Sequence, residues 1–201
     1  MRFKNENGSP FSEWETYNLK DISERITQKN SDNNQNVLTI SAQLGLISQL
    51  EFFNKSVSAK DVSGYYLLTL NDFAYNKSYS NGYPMGAIKR LKRYEKGIVS
   101  TLYICFRFTE IVSNDFIEQY FESGIQNVEI EKIAQEGARN HGLLNVGVAD
   151  FFNIEINIPP LNEQKRIASF LTSIDQKIQT EKAILEQLEN QKKYLLQNMF
   201  C

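Results

Sequence analysis

The sequence has few of the residues that build cross-linked or metal-stabilised folds, with two cysteines and one histidine among its 201 residues. Cys105 lies in an apolar run and Cys201 is the last residue. This usage indicates a reducing compartment and no disulfide framework. His141 is the sole histidine, so a zinc site of Cys and His ligands would need partners that the sequence lacks. We therefore predict no metal site.

The sequence also has little net charge and no long apolar run. The net charge of −2 excludes a protein that is basic overall, so any contact with nucleic acid must come from a local patch. No apolar run approaches the ~20 residues that span a bilayer. The segment from Met1 to Asn7 is polar and resembles no signal peptide. We expect a cytoplasmic protein that makes no membrane contact.

Catalytic signatures are missing too. The sequence contains no Gly-rich phosphate loop of P-loop or Rossmann form, and one histidine does not make a triad. Glu163 and Lys165 match the E-x-K part of many nuclease sites, but E-x-K is frequent on helices and chance is the stronger explanation. We predict a protein without catalytic activity and without a cofactor of its own, and keep a metal-dependent nuclease as an alternative.

The segment from Asn162 to Met199 has the clearest pattern in the sequence. Apolar residues alternate at spacings of four and three without Gly or Pro, which predicts one helix of about 38 residues, roughly 57 Å long. Pro159 and Pro160 end the preceding segment, and Asn162 is a favourable N-cap. The stripe comprises Ile167, Leu171, Ile174, Ile178, Glu181, Leu185, Leu188, Lys192, Leu195 and Met199.

Two charged residues in this stripe predict how it pairs. In a parallel pair Glu181 would face Glu181 and Lys192 would face Lys192, which places like charges in a seam. In an antiparallel pair with its axis between Glu186 and Gln187, Glu181 meets the partner's Lys192 instead. Leu185 then meets Leu188, Ile178 meets Leu195, and Ile174 meets Met199. We expect an antiparallel homodimer, or pairing with a similar helix of another chain. A helix folded back on its own domain is the remaining alternative.

We expect residues 1–160 to form one globular domain and residues 161–201 to form the helical region. The fold class is α/β: a mixed-sheet domain followed by a long helix in an antiparallel coiled coil. We expect helices over Leu19–Thr27, Asn114–Glu122 and Asn127–Gln135. Strands are expected over Val37–Ser41, Tyr65–Leu70, Phe73–Tyr75, Gly86–Leu91, Leu102–Phe108 and Phe151–Ile158, with a turn near Gly97.

Two polar loops are candidates for contacts with double-stranded DNA. The first carries Lys77, Ser78, Tyr79 and Tyr83 and precedes a basic stretch that includes Lys89 and Arg90. Such groups bind phosphates, although composition alone favours a strand edge kept basic against aggregation. Because side chains alternate along a strand, Lys89 and Arg90 should point to opposite faces. The second loop holds Arg139, Asn140 and His141, and Arg and Asn can bond guanine and adenine edges respectively.

Several of these stretches together resemble a known family. They are Pro159-Pro160-Leu161, Glu163-Gln164-Lys165-Arg166-Ile167-Ala168, Leu171, Asp175, Ile178 and Met199-Phe200, with Arg2-Phe3, Trp14, Leu19, Val37–Ser41, Gly45–Ile47, Asp72–Asn76, Gly86–Lys89, Ser100–Tyr103, Glu136–Arg139 and Gly142-Leu143. The chain resembles the specificity subunits of type I restriction-modification enzymes over nearly its whole length. It departs from them in having one recognition domain and one helix, and is similar to their second half.

The resemblance implies a function that composition does not. In that family each target-recognition domain reads one half of a split DNA sequence, and long helices separate two such domains. These helices also bind the methyltransferase (M) subunits, and the restriction (R) subunit joins the complex. The resemblance therefore implies a non-catalytic DNA-recognition subunit that must pair to be complete. A coiled-coil scaffold that binds protein remains the alternative.

Overall fold

The computed structural model describes residues 2–54, 58, 61–134 and 143–200. Its helices are α1 (Leu19–Ile22), α2 (Gln49–Phe53), α3 (Asn114–Glu122), α4 (Asn127–Ile133), α5 (Val148–Phe152) and α6 (Leu161–Met199). Its strands are β1 (Glu15–Asn18), β2 (Ser23–Ile26), β3 (Leu38–Ser41), β4 (Gly45–Ser48), β5 (Tyr66–Thr69), β6 (Phe73–Asn76), β7 (Ala87–Arg90), β8 (Lys96–Val99), β9 (Ile104–Phe108) and β10 (Glu155–Ile158).

A four-stranded sheet in the order β2-β9-β6-β7 lies at the centre of the domain. Side chains alternate across it, so Phe73 and Tyr75 of β6 enter one core while Ala74 between them enters another. The first core packs this sheet against α1, α3, α5 and β10, and aromatic rings fill much of it. The second core lies between the sheet and the strands β3, β4, β5 and β8. One sheet therefore holds two layers together.

Shorter ladders complete the domain. β1 pairs with β10, β3 with β4, and β5 with β8, and every ladder between the named strands is antiparallel. A single parallel bridge joins Val37 to Ile98. The β1–β10 ladder lies directly before α6 and connects the start of the domain to the start of the long helix. The fold is thus a mixed α/β arrangement with a long C-terminal helix, as predicted, and the ladders of its sheets are antiparallel.

The structure confirms most of the predicted elements and corrects three. α3 has the predicted bounds, the strands β3, β5, β7 and β9 lie within the predicted segments, and β6 extends one residue beyond its predicted end, to Asn76. The predicted helix Leu19–Thr27 is wrong after Ile22, because the residues that follow form β2 against β9. The predicted strand Phe151–Ile158 begins as helix α5 and becomes strand at Glu155.

Gly97 lies in strand β8 and not in a turn. It pairs with Leu68 of β5, and a Cβ added to it would lie 2.4 Å from Leu38 Cδ1. The glycine therefore leaves room for the Leu38 side chain, which packs over this point of β8, a reason that sequence does not distinguish from a turn.

The long helix extends over almost the predicted range. It begins at Leu161 with Pro160 as its N-cap, so the predicted capping role of Asn162 is wrong and Asn162 lies in the first turn. From Thr172 to Phe200 every residue is exposed. Neither this helix nor any other helix in the described part of the chain is long and apolar enough to cross a membrane.

Candidate nucleic-acid interface and helix seam

The loop between β6 and β7, residues 77–86, is held firmly at its base. Tyr75, fully buried, donates its hydroxyl to the Met85 carbonyl at 2.8 Å. Gly86 closes the loop with a φ of 78°, and a Cβ added there would lie 2.3 Å from the Asn76 carbonyl oxygen. The Asn76 side chain accepts from the Ser78 amide at 3.1 Å. These contacts order the backbone of the loop before any ligand arrives.

The chain directly after the second predicted loop lies beside the first loop. Ser78 forms an antiparallel bridge with Leu143, and the Leu144 amide donates to the Lys77 carbonyl at 2.9 Å. The Lys77 ammonium also donates to the Val146 carbonyl at 3.4 Å. The predicted residues Arg139, Asn140 and His141 lie outside the described residues. The chain that follows them nevertheless enters the described fold directly beside the first loop.

The first loop presents one strongly exposed aromatic side chain. Tyr79 is 62% exposed at the tip, and Lys77 and Ser78 are partly exposed beside it. A flat, exposed ring with a polar end suits stacking and hydrogen bonding to a nucleic acid. Ser80 and Tyr83 pair across the tip, where the Tyr83 amide donates to the Ser80 carbonyl at 2.8 Å. Residues 80–83 therefore form a closed turn, and the exposed Tyr79 directly precedes it.

Lys89 and Tyr83 form a network with Glu122 at the end of α3. The Lys89 ammonium donates to Glu122 at 2.6 Å and to the Tyr83 hydroxyl at 2.9 Å, and the Tyr83 hydroxyl donates to Glu122 at 2.6 Å. Burial and the hydrogen bond to Glu122 raise the pKa of Tyr83. The Lys89 side chain is 7% exposed. This geometry favours a role in holding the loop, and a DNA contact by Lys89 stays a prediction.

Acidic side chains that lie far from the basic stretch in sequence neutralise it. Arg90 pairs with Asp115 at 2.7 Å and Glu118 at 3.4 Å, so Lys89 and Arg90 both reach α3 although they alternate along β7. Asp115, Glu118 and Glu122 are spaced by three and four residues and share one face of α3, a signal present in the sequence. Further pairs join Lys92 to Glu118, Arg93 to Glu51 and Lys96 to Asp32.

The start of α6 is buried in the domain. Gln164, 1% exposed, bonds to three backbone groups of the domain, and Glu163, 0% exposed, accepts from Arg2 at 3.0 Å. In the sequence, the only side-chain role indicated for Glu163 was that of a nuclease residue. The carboxylate is enclosed and paired with a guanidinium, which disfavours its use as a metal ligand open to a substrate.

The remaining length of α6 presents the predicted stripe to solvent. Ile174, Ile178, Leu185, Leu188, Leu195 and Met199 are each between 40% and 71% exposed. The charged residues of the stripe, Glu181 and Lys192, are exposed as well. A folded-back helix is therefore wrong for this part of α6, since the domain does not cover the stripe. Pairing with a second helix stays a prediction.

Comparisons with known proteins agree with this architecture. Residues 11–190 match the family model of the type I restriction modification DNA specificity domain. The HsdS subunit from Thermoanaerobacter tengcongensis is similar in structure, with a TM-score of 0.53 at 15% identity, over 90% of this chain and 42% of that one.

Two further solved structures share the fold. The type I restriction-modification S subunit from M. genitalium has a TM-score of 0.57 at 14% identity, over 100% of this chain and 48% of that one. A chain from a structural study of complex assembly and conformational transition in a type I restriction-modification system has a TM-score of 0.58 at 14% identity. The match to that chain covers 96% of this chain and 46% of that one. This chain therefore spans less than half the length of these relatives.

Proposed function

This chain belongs to the family of type I restriction-modification DNA specificity domains, and from that membership we propose that it reads one half of a bipartite DNA target. Its residues 1–160 act as the target-recognition domain, and residues 161–201 act as spacer and dimerisation region. The methyltransferase and restriction subunits of the system are its protein partners. They supply the chemistry, and the chain itself contributes recognition without catalysis or a cofactor.

The observation that carries the recognition proposal is the pairing of Ser78 with Leu143. It brings the loop with Lys77, Ser78 and Tyr79 next to the segment that follows Arg139, Asn140 and His141. Lysine and tyrosine groups in such a surface hold the phosphate backbone, while arginine and asparagine read base edges. Two segments distant in sequence can thus act on one stretch of DNA.

The network around Glu122 divides the predicted contacts into two kinds. Tyr83, Lys89 and Arg90 are engaged with acids of α3, so we propose that they support the loop and set the local charge. Tyr79 and Lys77 have exposed surface to offer directly. On this proposal, removal of Tyr79 weakens DNA binding, whereas removal of Tyr83 acts through the shape of the loop.

We propose that two copies pair through the exposed stripe of α6 in antiparallel orientation. In the register that places Glu181 against the partner's Lys192, the residues beside the seam are also complementary, because Lys182 lies near the partner's Glu189. The parallel alternative brings Lys177 near Lys182 of the other copy. The charges beside the seam therefore favour the antiparallel pair.

An antiparallel pair places two identical reading domains in inverted orientation, at opposite ends of the helices. It predicts a target that is an inverted repeat. The starts of the two helices lie at most about 75 Å apart from helix length alone, which permits half-sites one or two DNA turns apart.

Sequencing of methylated sites in cells that carry this chain and its methyltransferase tests the proposal. The expected result is one bipartite inverted-repeat motif that disappears when the chain is deleted and changes at the same position of each half-site with Arg139→Ala. The matched variant Arg25→Ala, on strand β2, should leave the motif unchanged. A non-palindromic bipartite motif would indicate pairing with a different specificity chain and would refute the homodimer.

The scaffold hypothesis makes a different prediction for the same complex. A protein-binding scaffold needs the α6 stripe but no DNA contact, so DNA binding by the complex would not depend on this chain. A DNA affinity that falls steeply with salt, and less steeply in Lys77→Ala, supports the recognition proposal. A salt dependence that is identical with and without the chain supports the scaffold.

A further inference from the structure

The direction in which α6 leaves the domain matters as much as its length. From Gln164 to the proposed symmetry axis the helix extends for about 34 Å. A change of ten degrees at its root therefore moves the axis by about 6 Å, close to two base-pair steps of about 3.4 Å. A specificity subunit that accepts one spacer length between its half-sites needs a root that does not bend.

Gln164 supplies a three-way link at this root. Its side-chain amide donates to the Pro159 carbonyl at 2.8 Å and to the Ile111 carbonyl at 3.1 Å. Its carbonyl oxygen accepts from the Ser113 amide at 2.7 Å. Pro159 precedes the helix, Ile111 lies in the loop before α3, and Ser113 is the N-cap of α3. Because an amide has distinct donor and acceptor ends, this arrangement fixes the rotation of the helix as well as its position.

Glu163 fixes the neighbouring face of the helix to the start of the chain. Its buried carboxylate accepts from Arg2 Nη2 at 3.0 Å and from Arg2 Nε at 3.4 Å. Arg2 also donates to the carbonyls of Phe11 and Ser12, so one guanidinium spans two segments of the domain and the helix. The hydrogen bond to Glu163 raises the pKa of Arg2, which keeps its charge at any working pH.

Contacts farther along the helix continue this attachment for about three turns. The rings of Phe3 and Phe170 meet edge to face with centroids 5.7 Å apart. Gln119 of α3 donates to Asp175 at 2.8 Å. The root is thus attached on one side by the N-terminal segment and on the other side by α3.

We propose that Gln164 is a positioning residue that, with the Arg2–Glu163 pair, fixes the direction of α6 relative to the recognition domain and so selects the spacer length between half-sites. This inference rests on the proposed function. It assigns to the buried Glu-Gln pair a role in specificity that acts through geometry and without DNA contact.

The test measures methylation of a DNA library in which the two half-sites are constant and only the spacer length varies. The complete complex of this chain with its methyltransferase is used, with Gln164→Ala as the variant. Gln176→Ala, an exposed glutamine on the same helix, is the matched control. We expect Gln164→Ala to lower the preference for the best spacer over its neighbours by about tenfold, equivalent to about 1.4 kcal/mol. Gln176→Ala should keep the parental preference.

A second variant keeps the test decisive if Gln164→Ala does not fold. Arg2→Ala removes the partner of Glu163 from a partly exposed position, and we expect the same loss of spacer preference to a smaller degree. Binding to a DNA with a single half-site should stay within about twofold of the parent, a difference of roughly 0.4 kcal/mol.

Two results have distinct meanings. If the folded variants keep the parental spacer preference, the inference is wrong while the proposed function stands. If the parent complex itself shows no preference for a bipartite site, the proposed function fails first, and the positioning role fails with it.

Discussion

Reversal of the charge at Glu181 should dissociate the proposed dimer. Glu181 and Lys192 are exposed members of an otherwise apolar stripe. In the antiparallel register each Glu181 meets the partner's Lys192, so Glu181→Lys replaces two attractive contacts of the dimer with two repulsive ones. In a parallel dimer each residue faces its own copy, and the same substitution would exchange one pair of like charges for another.

The magnitude follows from the exposure of the stripe. Six apolar side chains of each copy are about half exposed, and their burial contributes roughly 1 kcal/mol each. The total, about 12 kcal/mol for the dimer, is of the same order as the cost of association, about 4–15 kcal/mol. The charged layer therefore decides whether the dimer forms. A lost exposed pair costs about 0.2–1 kcal/mol and the new repulsion a similar amount, so we expect about 2 kcal/mol in all.

Sedimentation equilibrium of the purified chain measures this change. A loss of 2 kcal/mol raises the dimer Kd roughly 30-fold. Glu186→Lys, the same substitution on an outward face of the same helix, should change the Kd little. The double variant Glu181→Lys with Lys192→Glu restores the attraction and should return the Kd to within a few-fold of the parent. Equal Kd values for Glu181→Lys and the parent would refute the antiparallel register.

Three further predictions concern the domain. Gly86→Ala forces a side chain into a left-handed φ and against the Asn76 carbonyl, and should lower the free energy of unfolding by about 1–3 kcal/mol or more in urea denaturation. Arg139→Ala should cost about 1–3 kcal/mol in DNA binding and relax one target position, whereas a uniform loss over all sequences would reassign it to phosphate. Burial raises the pKa of Cys105 from 9.0 to about 12, so the unfolded chain loses its thiol proton first and stability should fall as pH rises between these values. Cys105→Ala should remove that part of the pH dependence in denaturation curves measured across this range.

The spacing of apolar residues predicted those elements in which the pattern fits only one type of secondary structure. Phe73, Ala74 and Tyr75 alternate between two cores, and the α6 stripe repeats every three and four residues, so both patterns were readable in the sequence. The strand Ser23–Ile26 was not readable in the sequence, because its apolar spacing also fits a helix. Only its pairing with β9 in the structure shows that it is a strand.

The candidate DNA-contacting surface was less predictable, because its basic side chains form ion pairs with acids that are distant in sequence. The basic residues from Lys89 to Lys96 were visible as a cluster, but their neutralisation by Glu118 and Glu122 depends on how α3 packs against β7. The roles of Glu163 and Gln164 were hidden for a similar reason. Polar residues at the start of an exposed helix give no sign in sequence that tertiary contacts bury them completely.

A distance measurement between two identical labels distinguishes an antiparallel pair of α6 helices from a parallel pair. A spin label at Ser173→Cys, with Cys105 and Cys201 replaced by serine, marks the same point on both copies of α6. In the antiparallel dimer the two labels are separated by 27 helical residues, about 40 Å along the helix axis at ~1.5 Å per residue. In a parallel dimer the labels would lie side by side, about 10 Å apart. A distribution centred near 40 Å is the predicted result, and a short distance, or no dipolar coupling at micromolar concentration, would contradict the account.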